Sequence, residues 1–438
     1  MNALAISDGL FRRLQARGIH YAWAVLVVTF LYSLAASTAM TVPSVLVVPI
    51  ANEFGWGLGD VSSAMALRLF LFGAMAPFAG AFLVKYGLRR MMLVSGSLSV
   101  IGLILAITMT SKFQLWLSLG VVLGVAPGLT ALVVTAAVGT RWFAKRRGLA
   151  IGVLTASIAT GQLLFLPVAA WLSDHWGWRM ALVPTAVAVA LCTIVYALIA
   201  RDNPSDLGIT AFGETEPPPR RPALTGGNAL AISFSALRDA SGSPAFWVLF
   251  GSFFVCGLSS YGLMGPHFVP LCADFGVTAV TAASLLAVMG VCDFFGTIGS
   301  GWLSDRYDSR WLLSWYYGLR GLSLIWLPFS GFTMFGLSIF AVFFGLDYIA
   351  TVPPSVKIAA QAFGRDRAPV VFGWIFAGHQ LGAAVMASAA GIVRDDFATY
   401  LPSFFAAGVF CMFASASMLV LLGKRNPART APAIAAGH

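Results

Sequence analysis

Charged residues are scarce in this chain, and their scarcity excludes a soluble protein. Asp, Glu, Lys and Arg make up 10% of the 438 residues and apolar residues 59%, whereas soluble domains are roughly a quarter charged. A water-soluble chain of this length could not cover its core with so few polar side chains. Apolar runs of about 20 residues recur instead, each long enough to cross a hydrocarbon layer of about 30 Å. The composition predicts a polytopic helical membrane protein.

Cysteine and catalytic motifs are scarce as well. The five cysteines lie in or beside apolar runs without a CxxC pair, which argues against a disulfide framework and against a metal site. The sequence contains no HExxH, GxSxG or GxxxxGK[ST] motif. We therefore predict that the protein is not an enzyme and uses neither a metal nor another cofactor.

The net charge of +10 reflects topology rather than a nucleic-acid partner. If helices alternate in direction from a cytoplasmic N-terminus, nearly all Lys and Arg fall on the cytoplasmic side, as the positive-inside rule requires. The exceptions are Lys112, Arg179 and Arg394 on the opposite side, and Arg68 and Arg320 within helices. We therefore predict an integral, multi-pass protein of a bacterial inner membrane, monomeric in the lipid bilayer, with both termini in the cytoplasm.

Two short basic turns resemble each other and divide the chain into halves. The first is GAFLVKYGLRR at Gly80–Arg90, and the second is GWLSDRYDSR at Gly301–Arg310. At the separation that joins Gly80 to Gly301, other residues also match, namely Pro49 with Pro270, Gly124 with Gly345, Gly152 with Gly373 and Gly161 with Gly382. Matches at one fixed separation predict two copies of one design, joined head to tail.

The apolar runs predict an all-α membrane protein with twelve transmembrane helices in two pseudo-symmetric bundles of six. Their approximate positions are 20–48, 58–83, 91–110, 114–140, 148–172, 178–200, 245–270, 279–303, 310–330, 332–360, 368–392 and 399–423. The sequence thus divides into an N-terminal bundle (1–200), a flexible cytoplasmic linker (201–243), a C-terminal bundle (244–423) and a cytoplasmic tail (424–438).

Twelve helices in two parallel halves, with a related basic turn after helices 2 and 8, resemble the major facilitator superfamily. In that family the turn reads about G-x-L-A-D-R-x-G-R-R. The second turn matches this pattern at Gly301, Leu303, Asp305, Arg306 and Arg310. The first turn has Val84 where the family has its Asp, and it matches at Gly80, Lys85, Gly87, Arg89 and Arg90. The resemblance implies that both turns gate the inward side and that the first locks differently.

Two further stretches resemble the monocarboxylate and oxalate/formate-type transporters within that superfamily. They are RWFAKRRG at Arg141–Gly148, and Gly177-Trp178-Arg179 before helix 6. The resemblance implies secondary active transport of a small organic carboxylate by alternating access. In oxalate/formate-type relatives a cation in helix 11 contacts the anion, and His379 resembles it in position. Monocarboxylate transporters place an Arg in helix 8, where this chain has Asp293.

Five ionisable residues are predicted to lie within the hydrocarbon, about 12–15 Å from the nearer surface. They are Arg68, Asp293, Arg320, Asp347 and His379. Each such group costs at least a few kcal/mol in a membrane, so its presence favours a function. None has an equivalent in the other half, although residues required by the shared scaffold would recur in both.

The chemistry of these residues predicts a charge relay around a central cavity. The planar fork of an Arg binds a carboxylate through two hydrogen bonds, and a nearby Asp can exchange a proton for an ion pair. We predict Asp293, Arg320 and Asp347 as the proton-coupling network. The predicted substrate-binding residues are Arg68, His379, Gln380, Gln162, Tyr261 and Tyr32, with His267 as a weaker candidate.

Each charged residue also has a structural interpretation. Arg320 could be the partner of Asp347 or Asp293, and Asp347 could serve the helix break before Pro353-Pro354. Arg68 could extend towards the nearer surface, and His379 could be a hydrogen-bonded core histidine.

The leading functional prediction is symport of a small organic monoanion with H⁺. With two Arg and two Asp ionised the relay is neutral, and one protonated Asp leaves a charge of +1 that a monoanion neutralises. The alternatives are exchange of organic anions, as in the oxalate/formate type, or export of an amphipathic compound.

Overall fold

A computed structural model describes residues 3–215 and 228–422 of the chain. Within these ranges it does not describe the side chains of residues 3–6, 44, 58–59, 131, 162–164, 166–167, 279, 395 and 420–422. The described chain is almost entirely helical, and its isolated β-bridge joins Phe143 to Phe212. The fold predicted from the apolar runs is therefore confirmed.

Twelve helical spans, numbered here in chain order, form the body of the described protein. Their bounds are span 1, Ala22–Val45; span 2, Leu58–Tyr86; span 3, Leu88–Ile107; span 4, Lys112–Trp142; span 5, Arg147–Leu164 and Leu166–Trp176; span 6, Trp178–Ile199; span 7, Pro244–Asp274; span 8, Ala279–Arg306; span 9, Ser309–Trp326; span 10, Met334–Asp347 and Val352–Phe363; span 11, Ala368–Phe397; span 12, Leu401–Leu422. Over their described residues, ten of these spans, all but spans 5 and 9, are long and apolar enough to cross a membrane.

Several spans are interrupted. Span 4 contains a π-helical stretch at Trp116–Val122 and breaks at Thr130, and span 7 contains another at Leu258–Met264. Span 10 breaks between Asp347 and Val352, just before its two prolines. Because proline lacks an N–H, such breaks leave carbonyl groups free to accept hydrogen bonds from side chains.

Glycine makes the turn between spans 2 and 3 possible. Gly87 has a φ of 85°, a conformation that residues with a side chain rarely adopt. A Cβ at this position would also lie 2.7 Å from a carboxylate oxygen of Asp202. The turn is therefore specified both by its backbone conformation and by the close approach of the segment that follows span 6.

The two halves, spans 1–6 and spans 7–12, contact each other closely at one end of the bundle. We call this end, which carries the turns Gly80–Arg90 and Gly301–Arg310, the basic end. Span 5 meets span 8 where Gly148 and Gly152 approach Gly301, and span 2 meets span 11 where Gly80 approaches Val370. A Cβ on Gly80 would lie 2.5 Å from the Cα of Val370. Small residues thus allow the backbones to touch and close the basic end.

A helix outside the twelve spans also crosses the boundary between the halves. This linker helix, Ala229–Ser241, lies in the stretch predicted to be a flexible linker. The hydroxyl of Ser233 donates to the carbonyl of Pro77 in span 2 at 2.7 Å, and Trp374 Nε1 of span 11 donates to the carbonyl of Ser233 at 3.1 Å. An ion pair at 2.8 Å joins Asp239 to Arg367. Residues 216–227 and the predicted tail lie outside the described residues.

Candidate functional site

A cavity lies between the two halves, near the middle of the bundle. It is lined by spans 2, 4 and 5 on one side and spans 7, 10 and 11 on the other. The lining residues include the predicted Tyr261, His379 and Gln380. The other lining residues are Phe72, Leu132, Thr155, Ile158, Phe253, Cys256, Tyr348, Ile349, Val352 and Phe376.

His379 presents an imidazole to this cavity with one nitrogen unused. Its Nδ1 is buried and has no hydrogen-bond partner among the described residues. The ring stacks on Phe376 at 5.5 Å between centroids and meets the edge of Tyr261 at 5.2 Å. These contacts fix the ring in place and leave Nδ1 without a hydrogen-bond partner in the described part of the chain.

Asp293 lies just behind the cavity wall and is fully buried. Its Oδ1 accepts hydrogen bonds from the hydroxyl of Thr297 at 2.9 Å and from the N–H of Ile349, a lining residue, at 2.8 Å. Its Oδ2 has no partner in the described part of the protein. A buried carboxylate oxygen without a donor is costly when charged, so Oδ2 is a natural position for a proton.

Arg320 and Asp347 form a buried ion pair that uses every donor of the guanidinium. Nε donates to Asp347 Oδ2 at 2.8 Å. Nη1 donates to Sγ of Cys256 at 3.1 Å and to the hydroxyl of Ser259 at 3.4 Å. Nη2 donates to the carbonyls of Asp347 and Tyr348, which the break in span 10 leaves free. Because five donors meet five acceptors, this geometry favours the structural interpretation of Arg320.

Arg68 is the opposite case, a buried guanidinium without a counter-ion. It is 2% exposed, and its Nε and Nη1 have no hydrogen-bond partner among the described residues. No ion pair joins it to a carboxylate in that part of the chain. Arg68 lies four residues before Phe72 on span 2, so both occupy one face of the helix. Its charge therefore lies one helical turn beyond the cavity, away from the basic end.

Other predicted residues lie elsewhere. The hydroxyl of Tyr32 donates to the carbonyl of Met92 at 3.0 Å, and its ring packs 5.7 Å from that of Tyr196, so Tyr32 belongs to the core of the N-terminal half and does not line the cavity. His267 Nε2 lies 3.0 Å from the carbonyl of Ala387. The side chain of Gln162 is outside the described side chains. No group of three or more metal-ligating side chains occurs in the part of the chain described.

Cys256 and the aromatic lining residues other than Tyr261 were not predicted. Cys256 both lines the cavity and contacts Arg320, yet it lies in an apolar run that carries no distinguishing pattern. Phe72 and Phe376 are two of 34 phenylalanines in the sequence. Only their position in the folded chain separates them from those that pack in the core.

The second basic turn contacts the opposite half through Asp305. Its Oδ1 accepts from the N–H of Gly148 at 2.7 Å and its Oδ2 from the N–H of Leu149 at 2.9 Å, at the first turn of span 5. The guanidinium of Arg306 lies over the ring of Trp302, and Arg310 pairs with Asp308. These side chains of the turn, Asp305 apart, contact residues of their own half.

The first basic turn, which has Val84 in place of the carboxylate, makes its polar contacts within its own half. Asp202, which follows span 6, accepts from the N–H of Arg89 at 2.6 Å. Nε of Arg89 donates to the carbonyl of Ala197 at 3.1 Å. Lys85 lies 5.3 Å from the ring of Tyr86, and Arg90 is exposed. The two turns therefore have different partners in this conformation.

Comparison with known proteins identifies the family. The family model described as Major Facilitator Superfamily matches residues 25–299 and 260–437. The chain is 27% identical to monocarboxylate transporter 13 of Bos taurus, over 79% of this chain and 76% of the relative. It is 25% identical to the uncharacterized MFS-type transporter YcxA of Bacillus subtilis, over 86% and 90%.

Among solved structures, the human organic anion transporter MFSD10 superposes with a TM-score of 0.68 at 16% identity. The superposition covers 91% of this chain and 99% of that one, and at this identity it supports the fold alone. Apolar spans of sufficient length and the match to the family model identify an integral, multi-pass membrane protein. The chain belongs to the Major Facilitator Superfamily and is a secondary transporter of that type.

Proposed function

We propose that this protein carries a small organic monocarboxylate across the membrane together with a proton, by alternating access. The observation that carries the proposal is the unpaired, buried guanidinium of Arg68. A charge in a low-dielectric environment requires a counter-ion, and the fork of an Arg matches the two oxygens of a carboxylate. Relatives named monocarboxylate transporters support the same class of substrate.

Asp293 is the proposed proton carrier. One oxygen of each carboxylate, Asp293 Oδ2 and Asp347 Oδ1, has no partner among the described residues. Asp347 accepts from Arg320 through its Oδ2, however, whereas Asp293 is bonded only to the neutral donors Thr297 and Ile349 among the described residues. With Asp293 protonated, Arg68, Arg320 and Asp347 carry a net charge of +1, which a bound monoanion reduces to zero. A neutral loaded state lowers the cost of moving the site through the membrane, because no net charge has to cross the hydrocarbon.

The halves would rock about the cavity so that it opens to each side in turn. In the described conformation the basic end is closed by the contacts of spans 2 and 11 and of spans 5 and 8. We propose that this end faces the cytoplasm, in accordance with the distribution of Lys and Arg in the sequence. The substrate would then approach Arg68 from the opposite side, the end nearer to that residue.

The hydrogen bonds to Asp293 Oδ1 favour a second candidate function. The N–H of Ile349 and the hydroxyl of Thr297 both stabilise an ionised carboxylate. If Asp293 remains ionised throughout the cycle, the protein would exchange one organic anion for another without moving a proton.

Uptake into proteoliposomes under an imposed pH gradient distinguishes the two functions. For symport, an alkaline interior accelerates uptake of radiolabelled lactate or phenylacetate, and Asp293→Asn abolishes this acceleration while counterflow persists. Arg68→Ala abolishes both activities. The matched control is Arg179→Ala, because Arg179 is already paired with Glu53 at one end of the bundle. Counterflow that is indifferent to pH in the wild-type protein would establish exchange, and binding unaffected by Arg68→Ala would contradict the proposed anion site.

A further inference from the structure

Aromatic rings line the cavity in a continuous series, mostly on the side of the C-terminal half. We call Phe72, Tyr261, Tyr348, Phe376 and Phe253 the aromatic belt; all five line the cavity. Tyr261 stacks on Tyr348 at 6.0 Å between centroids with an interplanar angle of 28°. The imidazole of His379 connects Tyr261 to Phe376 and lies 6.2 Å from Phe253. The wall thus offers both ring faces and ring edges to a ligand.

Phe72 and Phe376 connect the belt across the two halves. Their centroids are 6.0 Å apart and their planes are almost perpendicular, at 88°. Phe72 belongs to span 2 and Phe376 to span 11, whereas the other belt residues belong to spans 7 and 10. A flat ring bound at this point would therefore touch aromatic groups of both halves at once. Such a ligand would contact both of the halves that move relative to each other during transport.

Polar groups in the lining are few and lie among these rings. They belong to the lining residues His379, Gln380, Thr155, Cys256, Tyr261 and Tyr348. A small hydrophilic acid would leave most of the aromatic surface without a partner. Aromatic side chains instead favour a ring in stacked or edge-to-face contact, and pockets of this kind bury most of an apolar ligand.

The position of Arg68 adds the charge that such a ligand needs. It lies four residues before Phe72 on the same face of span 2, a rise of about 6 Å along the helix. Helical side chains lean towards the N-terminus of their helix, which for span 2 is the end away from the belt. An anionic group held by Arg68 would thus lie beyond the belt along span 2, on the side away from the basic end, and a ring held by the belt would follow it along the same helix.

We infer that the preferred substrate is an aryl-substituted monocarboxylate, with its carboxylate at Arg68 and its ring in the aromatic belt. This inference rests on the proposed function, which supplies the anionic group. It adds the aromatic ring of the substrate, which the resemblance to known families does not specify.

Four matched ligands test the carboxylate site and the aromatic site separately in purified wild-type protein. Binding is measured by thermal shift and by isothermal titration calorimetry. Phenylacetate carries both features, acetate lacks the ring, cyclohexylacetate replaces the flat ring with a saturated one, and phenylacetamide lacks the charge. We expect phenylacetate to bind about tenfold or more tightly than acetate and measurably more tightly than cyclohexylacetate. Equal affinities for phenylacetate and acetate would overturn the inference and leave the proposed function standing.

Phenylacetamide, which keeps the ring and lacks the charge, tests the anion site. If it binds as tightly as phenylacetate, the proposed anion site fails while the aromatic site remains. Phe376→Leu removes a belt ring at similar volume and should reduce the preference for phenylacetate over acetate. Phe340→Leu is the matched control, since Phe340 is a buried ring of span 10 that packs against Phe268 and Phe344 away from the cavity. An equal loss of preference in both variants would contradict the assignment to the belt.

Discussion

Asp305 of the C-terminal half accepts a hydrogen bond at 2.7 Å from the N–H of Gly148, which belongs to the N-terminal half. With the second bond, from Leu149, its carboxylate satisfies two of the N–H groups that the first turn of span 5 leaves unpaired. The negative charge also lies at the positive end of the helix dipole. The side chain of Asp305 thus joins span 8 to span 5 at the basic end, in addition to the contacts of spans 2 and 11.

Asp305→Ala should loosen the basic end. Loss of a charged cap at a helix N-terminus costs about 1–2 kcal/mol, and here the cap belongs to the opposing half. We expect faster hydrogen–deuterium exchange in the peptide that covers residues 147–152, together with a lower apparent Tm in detergent. Mass spectrometry of the exchanged protein measures the first effect.

Asp308→Ala provides the matched control for this prediction. Asp308 caps span 9 by accepting from the N–H of Arg310 at 3.0 Å, entirely within its own half. This variant should lower the apparent Tm by a similar amount without changing exchange in residues 147–152. If both variants accelerate that exchange equally, Asp305 has no special part in joining the halves.

The ion pair of Arg320 and Asp347 should be required for stability more than for coupling. Asp347→Asn leaves a fully buried guanidinium without its counter-charge, which typically costs about 3–5 kcal/mol. We therefore expect poor expression and a strongly lowered apparent Tm. The double variant Arg320→Met/Asp347→Leu removes both charges and should restore much of the stability, because an apolar pair pays no desolvation cost.

Transport by this double variant separates the two roles of the pair. If it folds and still accumulates substrate in response to a pH gradient, the pair is structural and the proton binds elsewhere, as proposed for Asp293. A stable double variant that transports without responding to the gradient would instead assign proton coupling to Asp347.

The linker helix should stabilise the closed basic end. Ser233→Ala removes the hydrogen bond from its hydroxyl to the carbonyl of Pro77, a loss of about 1 kcal/mol. We expect faster hydrogen–deuterium exchange around residues 369–374 of span 11, which the same helix contacts through Trp374. Ser235→Ala is the control, since that hydroxyl donates to the carbonyl of Ile232 within the linker helix itself. Equal effects of the two variants would argue against a bridging role.

An ion pair at one end of the bundle should make the stability of the protein depend on pH. Arg179 donates a hydrogen bond to Glu53, and this contact lowers the pKa of Glu53 below its ordinary value. The pair is therefore complete above the ordinary pKa of a glutamate, near 4.5, and its stabilisation is lost as the pH falls through the lowered pKa. Because both side chains are partly exposed, the contribution should stay below about 1 kcal/mol.

The measurement is the difference in apparent Tm between the wild-type protein and Glu53→Gln across pH 3–8. This difference should be constant between about pH 5.5 and 8 and should disappear at the acidic end. A difference that grows towards low pH would contradict the assignment. Arg179→Gln should give the same profile.

Helix positions and the site follow from the sequence to different degrees. Apolar runs predicted all twelve spans, because a membrane requires long apolar helices. The linker helix was not predicted, since it is short and is stabilised by packing across spans 2 and 11 rather than by its own periodicity. The position of Tyr32 outside the cavity was not predicted, because an almost uniformly apolar helix gives little indication of which face turns inward.

The charged residues were found by their type, but their pairing depends on the folded chain. Arg320, Asp347 and Asp293 were all predicted within the membrane, and the structure shows that only the first two are paired with each other. The carbonyls that complete the shell of Arg320 come from the break in span 10, which residue types alone do not locate. Likewise, the second basic turn was evident in the sequence, while its backbone partners on span 5 carry no side-chain signature.

The unequal basic turns imply an order of events during opening. Separating spans 5 and 8 must break two charge-assisted hydrogen bonds to Asp305. Spans 2 and 11 are joined by backbone packing at glycines and by the linker helix, whose exposed ion pair holds it to the start of span 11 but whose bond to span 2 is the neutral one from Ser233. Bonds to an ionised group are about twice as strong as neutral ones. Spans 2 and 11 should therefore part first, so that the pathway widens on one side before the other and an almost symmetric bundle moves asymmetrically.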